Sequence, residues 1–309
     1  MALLFHCEWE EGGQIREGLS KLIPDVEFRI WPDVGDPADI EFAVVWNLPR
    51  GRLAGFPNLK AILSPGAGVD HLFEDPKLPE SVPIARLIDP LMSERMAEYT
   101  AALTLWSHRE FDAYADLQGR RSWRQVPQKD AEDRGVGILG LGALGRTTAR
   151  RLRPFGFVLS SWSRTPKDEP GVTSYHGKDA LPDFLRGSEI FICLLPLTSE
   201  TRGVLNEKTL GQLPRGAYLI NCARGPLVVE ADLLAALDSG QLSGAALDVF
   251  DEEPLPPDNP LWTHPKVRIT PHVSSLTAPG TAVPMLAAQV RRAQRGETLQ
   301  CLVDRDAQY

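Results

Sequence analysis

The segment GVGILGLGALGRTTARRL, residues 135–152, constrains the fold more tightly than any other part of the chain. An apolar run, 135–139, leads into Gly140-x-Gly142-x-x-Gly145, and a stretch of helical character follows. A glycine-rich turn between a buried strand and a helix is the phosphate-binding turn of doubly wound α/β folds. Gly140 allows the tight turn, Gly142 lets a pyrophosphate approach the backbone, and Gly145 lets the helix lie close on its strand. Ala143 and Leu144 fill the places between the last two glycines and share that turn. The helix N-terminus then offers free N–H groups and the positive end of its dipole to phosphate. A glycine-rich turn that binds nothing is the competing reading, and the flanking strand and helix weigh against it.

Short β-like runs repeat on both sides of this turn. ALLFH (2–6), VEFRI (26–30), FAVVW (42–46) and LKAILS (59–64) precede it, with a helical segment, EGGQIREGLSKLI (11–23), after the first. GVGIL (135–139), FVLSSW (157–162), IFICLL (190–195), AYLINC (217–222), GAALDVF (244–250) and VRIT (267–270) form a second series. Helical segments such as EADLLAALDSG (230–240), stopped by Gly240, lie between most of these. Apolar strands alternating with helices predict α/β architecture with parallel sheets. Between the two series, MSERMAEYTAALTLWSHREFDAYADL (92–117) has apolar residues at helical spacing and neither Gly nor Pro, so it reads as one helix long enough to bridge two domains. A terminal helix, roughly 280–296, is expected to pack back on the first series, with Pro279 and Pro284 putting its first turn in question. The chain of 309 residues can bury two cores, and the expected domains are 1–96 with 272–309, and 97–271.

A site for NAD carries an Asp or Glu about 20 residues past the glycine turn, where it bonds the ribose 2′-hydroxyl. The stretch at that distance is SSWSRTPK (160–167), which has no acid. Ser163 stands in its place, followed by Arg164 and Lys167. A carboxylate there would repel a 2′-phosphate, whereas a guanidinium grips phosphate in a fork and an ammonium adds to the attraction. Ser163 could donate a further hydrogen bond. The stretch therefore predicts NADP or NADPH as the preferred cofactor, with NAD or NADH as the alternative. An ordinary solvated basic turn is the competing reading.

Three further segments follow strand ends: INCARGPLV with Arg224, LDVFDEEPLP with Glu253, and ITPHVSS with His272. The carboxyl ends of parallel strands border the ligand crevice, so these residues can converge. An Arg can bind a carboxylate and polarise a neighbouring carbonyl, and a His can donate a proton as hydride reaches carbon. A carboxylate beside the His favours imidazolium and raises its pKa. Taken singly, each has a structural reading as well: a helix-end ion pair, a solvated loop, a turn residue after Pro271. The formal net charge of −8 argues against bulk attraction to nucleic acid or an anionic membrane. The start, MALLFHCEWEEGG, shows no signal-peptide pattern, and no apolar run reaches membrane-spanning length. Cys7, Cys193, Cys222 and Cys301 are scattered without CxxC spacing, so neither a metal nor a disulfide framework is expected, which fits a reducing cytoplasm.

Together these motifs resemble the D-isomer-specific 2-hydroxyacid dehydrogenases. GLGALG, LLPLTSETRG (194–203), NCARGPLV, ALDVFDEEPLP and TPHVSS stand in that family's order, and SPGAGVDH (64–71) and MAEYTAAL (96–103) match its earlier motifs. The likeness covers nearly the whole chain. It implies two Rossmann-like domains, the substrate domain discontinuous, with a cleft between them and a homodimer built through the dinucleotide-binding domain. It implies that Arg224 binds the substrate carboxylate and carbonyl, that Glu253 supports the His, and that His272 is the acid/base. Ala67, Gly68 and Val69 match the substrate loop, whose amides hold the carboxylate. Leu195, Pro196, Cys222, Ala223 and Asp248 match positions lining the cofactor, so Cys222 is expected to pack there and not to act as a nucleophile. WSRTPK and TPHVSSLTAP look most like the glyoxylate/hydroxypyruvate reductase branch, which uses NADPH. Trp46 and Asn47 would then border a small substrate pocket, with a plain core or surface role for Trp46 as the alternative. Trp123 is open between reaching a partner's active site and a structural role, the structural one favoured. Reduction of another 2-oxo acid is the near alternative. A dinucleotide-sensing binding protein, like the family's corepressors, is the alternative of another class. A formate- or phosphite-oxidising relative would normally favour NAD, against Arg164.

Overall fold

A computed structural model describes residues 1–9 and 11–309 of the protein. The chain forms two compact units, Met1–Met92 with Thr277–Tyr309, and Ser93–Leu276. In chain order the strands and helices are β1 (Ala2–His6), α1 (Gly12–Leu22), β2 (Glu27–Ile30), β3 (Ile40–Val45), β4 (Ala61–Ser64), α2 (Asp70–Phe73), β5 (Ile84–Arg86), α3 (Pro90–His108), α4 (Phe111–Gly119), β6 (Gly135–Leu139), α5 (Ala143–Leu152), β7 (Val158–Ser163), β8 (Thr173–His176), α6 (Leu181–Arg186), β9 (Ile190–Cys193), α7 (Glu207–Leu210), β10 (Ala217–Asn221), α8 (Glu230–Asp238), β11 (Leu242–Leu247), β12 (Val267–Ile269) and α9 (Pro279–Gln294).

The first unit holds a parallel sheet in the order β2-β1-β3-β4-β5. Successive side chains of its strands enter opposite cores, as the period of two demands. Leu3, Phe5, Phe42 and Val44 pack with Ile15 and Leu19 of α1 and with Val283, Leu286 and Val290 of α9, whereas Ala2, Leu4, Ala43 and Val45 join Val69 and Leu72 on the other face. Each fully buried Leu, Val or Phe contributes about 1.5–3 kcal/mol relative to exposure. The terminal helix thus belongs to the first unit. Pro279 sits at its first position, where no N–H is needed, and the helix continues through Pro284.

The second unit holds a seven-stranded parallel sheet in the order β12-β11-β10-β9-β6-β7-β8. Alternation again feeds two cores, with Leu139, Phe191 and Leu219 in one and Ile138, Ile192 and Ile220 in the other. The winding reverses at β6, which pairs with β7 on one side and β9 on the other. Ligands of open α/β sheets bind outside the carboxyl ends of the strands at such a reversal.

Two expectations need correcting. The helix expected over 92–117 is broken: α3 ends at His108, Glu110 takes the left-handed φ of +59°, and α4 starts at Phe111. Trp106 donates to Asp112 at 3.0 Å and meets Phe111 edge-on, which holds the chain reversed at this point. The units divide at 92/93 and 276/277, against the expected 96/97 and 271/272. Residues 272–276 stay with the second unit because Asp248 at the end of β11 hydrogen-bonds the backbone of His272, Val273 and Ser274.

Candidate active site

Strand ends of the second unit carry most of the sequence-predicted site residues. After β6, Gly140 has φ +111°, and a methyl group there would lie 2.8 Å from the Leu194 carbonyl oxygen. At Gly145 a methyl would sit 2.0 Å from the Gly140 oxygen, so only glycine lets α5 approach β6 this closely. Gly142 is different. Nothing lies within 4 Å of where its Cβ would be, and Gly142 and Ala143 are exposed. The first turn of α5 has no acidic residue and no side-chain cap. An open space beside uncapped helix amides fits a pyrophosphate, with Leu144 half-buried behind it.

Ser163 ends β7, and its hydroxyl donates to the Thr165 carbonyl at 3.0 Å, so as folded it braces its own loop. Arg164 and Lys167 are exposed on that loop. Glu169, which sequence reasoning missed, closes it. Its carboxylate is buried and accepts from Arg150 Nε at 2.7 Å, Arg150 Nη2 at 3.1 Å and Arg146 Nη1 at 3.1 Å, both arginines lying on α5. The Arg150 hydrogen bonds hold its pKa below the ordinary value against the upward push of burial. The only sequence signal for it was an acid followed by Pro170-Gly171.

Arg224, Glu253 and His272 follow β10, β11 and β12. Asn221, buried at the end of β10, accepts from the Ala223 amide at 3.2 Å and donates to the Arg224 carbonyl at 3.0 Å, which shapes the Arg224 turn. Gly225 packs so tightly on Phe250 and Asp251 that a methyl would meet the Phe250 carbonyl carbon at 1.8 Å. That contact brings the Arg224 turn against the turn carrying Glu253. The Arg224 guanidinium itself donates to the Ala223 carbonyl at 2.7 Å. Glu253 Oε1 accepts from the Phe250 amide at 2.9 Å and Oε2 lies 2.7 Å from His272 Nδ1. Burial pushes the Glu253 pKa up, but the His272 hydrogen bond and charge, the Phe250 amide and the Arg224 charge outweigh it, and the carboxyl sits below its ordinary value.

His272 has φ +54°, a left-handed conformation that a side-chain-bearing residue holds only when its surroundings impose it. Asp248 imposes it. Its carbonyl accepts from the His272 amide at 2.8 Å, and its fully buried carboxylate accepts from Val273 N–H at 2.9 Å, Ser274 N–H at 2.8 Å and the Thr270 hydroxyl at 2.6 Å. Tyr99 of α3 meets that hydroxyl at 2.5 Å. Asp248, expected only to line a cofactor, thus also builds the histidine turn.

Leu195, Cys222 and Ala223 are buried at the ends of β9 and β10, with Pro196 half-buried beside Leu195. Burial, followed by the nearby Asp248 and Cys193, pushes the Cys222 thiol well up. Among the described residues no cluster of His, Cys, Asp or Glu could hold a metal ion, and no helix is long and apolar enough to cross a membrane.

In the first unit, Ala67, Gly68 and Val69 lie between β4 and α2. Gly66 accepts from Leu87 N–H at 3.0 Å, Ala67 from Arg86 Nη1 at 3.3 Å and Gly68 from the Ser64 hydroxyl at 3.1 Å. In a planar trans peptide the N–H points opposite to the carbonyl, so the amides of Ala67, Gly68 and Val69 point away from these partners. Trp46 is half-buried, in tilted ring contacts with Trp9 and His71 with centroids 4.6 and 4.2 Å away, and its ring covers Gly66 where a methyl would come within 2.7 Å. It therefore shapes the loop that carries those amides. Asn47, next to it, is exposed with φ +54°.

The family model for the NAD binding domain of D-isomer specific 2-hydroxyacid dehydrogenases matches residues 101–274. The chain belongs to this family. As a D-isomer specific 2-hydroxyacid dehydrogenase it is an NAD(P)-dependent oxidoreductase. It is 42% identical over 309 residues to glyoxylate/hydroxypyruvate reductase A of Photorhabdus laumondii, with 98% of each chain covered. A D-isomer specific 2-hydroxyacid dehydrogenase from Xanthobacter autotrophicus Py2, solved in complex with NADPH and MES, superposes with a TM-score of 0.93 at 43% identity, covering 100% of this chain and 99% of the other. The NADPH-dependent glyoxylate/hydroxypyruvate reductase of Sinorhizobium meliloti, in complex with NADP and sulfate, gives 0.90 at 35% identity, with 100% and 99% covered. The two parallel sheets of the dehydrogenase match the expected pair of Rossmann-like folds.

Proposed function

We propose that the protein reduces short 2-oxo acids, glyoxylate to glycolate and hydroxypyruvate to D-glycerate, using NADPH with His272 as general acid. The observation that carries this reading is the 2.7 Å contact between His272 Nδ1 and a Glu253 carboxylate that is itself anchored by the Phe250 amide. With Nδ1 directed at the Glu253 carboxylate, Nε2 is the atom left to give a proton to a substrate oxygen. Arg224 supplies the charge that binds a substrate carboxylate and polarises its neighbouring carbonyl. The amides of Ala67, Gly68 and Val69 are donors for that carboxylate, and the Trp46 ring keeps their loop in shape. Bound NADPH supplies the hydride. Gly140, Gly142 and Gly145, with Ala143 and Leu144, take its pyrophosphate, Arg164 and Lys167 its 2′-phosphate, and Leu195, Pro196, Cys222, Ala223 and Asp248 line its nicotinamide end.

The similarity to glyoxylate/hydroxypyruvate reductases supports these substrates. We also infer a cytoplasmic homodimer formed through the dinucleotide-binding unit. Sedimentation at a single subunit mass would remove the dimer. For the reaction, initial rates are measured with each substrate and with NADPH and NADH separately. Fast turnover with NADPH and slow turnover with NADH is the expected result. NADH-only turnover would sink the cofactor assignment, and no turnover on either acid would sink the substrate assignment.

A further inference from the structure

The loop that carries Arg164 and Lys167 is fixed at both ends. At its start, Ser163 pairs with His176 across β7 and β8, and Gly177 N–H donates to the Ser163 carbonyl at 3.2 Å. At its end, Glu169 takes three hydrogen bonds from Arg146 and Arg150. Arg146 also donates to the Asp168 carbonyl at 2.5 Å, and Arg153, just past α5, to the Pro170 carbonyl at 3.2 Å. Every one of these arginines comes from the helix whose first turn faces the pyrophosphate, or from the turn directly after it. Only the exposed residues 164–168 lie between the two anchors.

This arrangement solves an electrostatic problem. Arg146, Arg150, Arg153, Arg164 and Lys167 are five of the six cations on α5, the turn after it and one short loop, the sixth, Arg151, pairing with Glu94. Glu169 is the buried anion among them, with its carboxylate 3% exposed. Without it the α5 arginines lose their shared acceptor, and the loop end loses its anchor to the helix.

We propose that Glu169 is a positioning residue for cofactor selection: by locking the loop end to α5 it holds Arg164 and Lys167 ready for a 2′-phosphate. The inference rests on the NADPH reading above and deepens it. A loop held in its bound shape beforehand loses less freedom on binding, which strengthens the interaction without a new contact. The cofactor without the 2′-phosphate does not use that part of the loop, so it gains nothing from the lock. The opposite effect has a clear signature. Were Glu169 competing with phosphate for Arg146 and Arg150, its removal would tighten NADPH binding.

The test is a pair of titrations, NADPH and NADH, on the full-length protein followed by cofactor fluorescence. Glu169→Ala should raise the Kd for NADPH about tenfold, the scale of one lost charge-assisted hydrogen bond. The Kd for NADH and the kcat at saturating NADPH should stay within about twofold. Glu169→Asp, which keeps the charge, should recover part of the loss. Equal weakening of both cofactors, no change, or tighter NADPH would each overturn the proposal. If Glu169→Ala gives no folded protein, Arg150→Gln, which removes the two-pronged half of the lock, is read in the same way. Arg164→Ala separates the two levels of argument. If it abolishes the preference for NADPH while the Glu169 variants do not, only the positioning role fails; if it leaves the preference intact, the reading beneath fails too.

Discussion

In each unit the first strand of the sheet is buried and runs through a turn into a helix: β1 and α1 in one, β6 and α5 in the other. Both strands sit inside their sheets, β1 between β2 and β3 and β6 between β7 and β9. Both turns use glycine for close packing, since a methyl at Gly12 would lie 2.7 Å from the Cys7 oxygen, much as one at Gly145 would meet Gly140. There the likeness ends. The turn after β1 carries Glu8 and Glu11, with Glu11 at the N-cap of α1, whereas the turn after β6 has no acid and adds a positive-φ glycine. Glycine beside a helix start is therefore a packing device found in both units. What sets the second unit's helix start apart from its structural twin is the absence of acids before it and the left-handed Gly140.

Variants can break or sharpen this contrast. The largest effect is expected at the chemistry itself: His272→Ala should lower turnover by about 10²–10⁴ while leaving the Kd for NADPH unchanged. Rapid turnover by the variant would take the proton donor away from the second unit. Next, Gly142→Asp puts a carboxylate into the open space and should weaken NADPH by about a hundredfold, the range of a desolvated like-charge clash. Gly13→Asp, in the first turn of α1 where nothing lies within 4 Å either, should leave NADPH binding alone. Equal losses from the two would erase the distinction between the turns. Glu253→Gln should cost about tenfold in turnover, because His272 Nδ1 loses its carboxylate partner. The Glu253 carboxyl is held below its ordinary pKa, so its support is present above the ordinary carboxylate range and disappears only as pH falls through the lowered value. A pH–rate profile that is unaltered by the substitution would remove Glu253 from the pair. Smallest for function, Gly12→Ala should destabilise the fold by about 1–3 kcal/mol with no change in cofactor affinity, read as a lower denaturation midpoint.

The features most legible in the sequence were those set by local pattern. Ala2–His6 and Gly135–Leu139 appear as strands at their expected limits because continuous apolar runs have few other fates in an α/β chain. The three-residue β5 and the half-exposed β8 left no such run and were missed. The break at Glu110 was invisible because no Gly or Pro marks it, and only the packing of Trp106 and Phe111 requires it. In the site, Arg224, Glu253 and His272 could be named from type and position, and Glu253 and His272 are in direct contact. The groups that shape the turns of Arg224 and His272 and the loop of Arg164 were not legible in those roles. Asn221, Asp248 and Glu169 act by accepting hydrogen bonds from backbone or arginine partners, from 2 to 26 residues away, and no spacing rule records such a partner.

The first unit is written in two pieces, with residues 93–276 inserted between them. Its sheet strands all precede the insertion, but α9, whose Val283, Leu286 and Val290 cover one face of that sheet, comes after it. A ribosome therefore releases the sheet about 185 residues before its lid, which at 5–20 residues per second is a delay of roughly 10–40 seconds. For that interval Leu3, Phe5, Phe42 and Val44 have only α1 for cover. The apolar face of the first sheet stays half-covered in the nascent chain until α9 arrives.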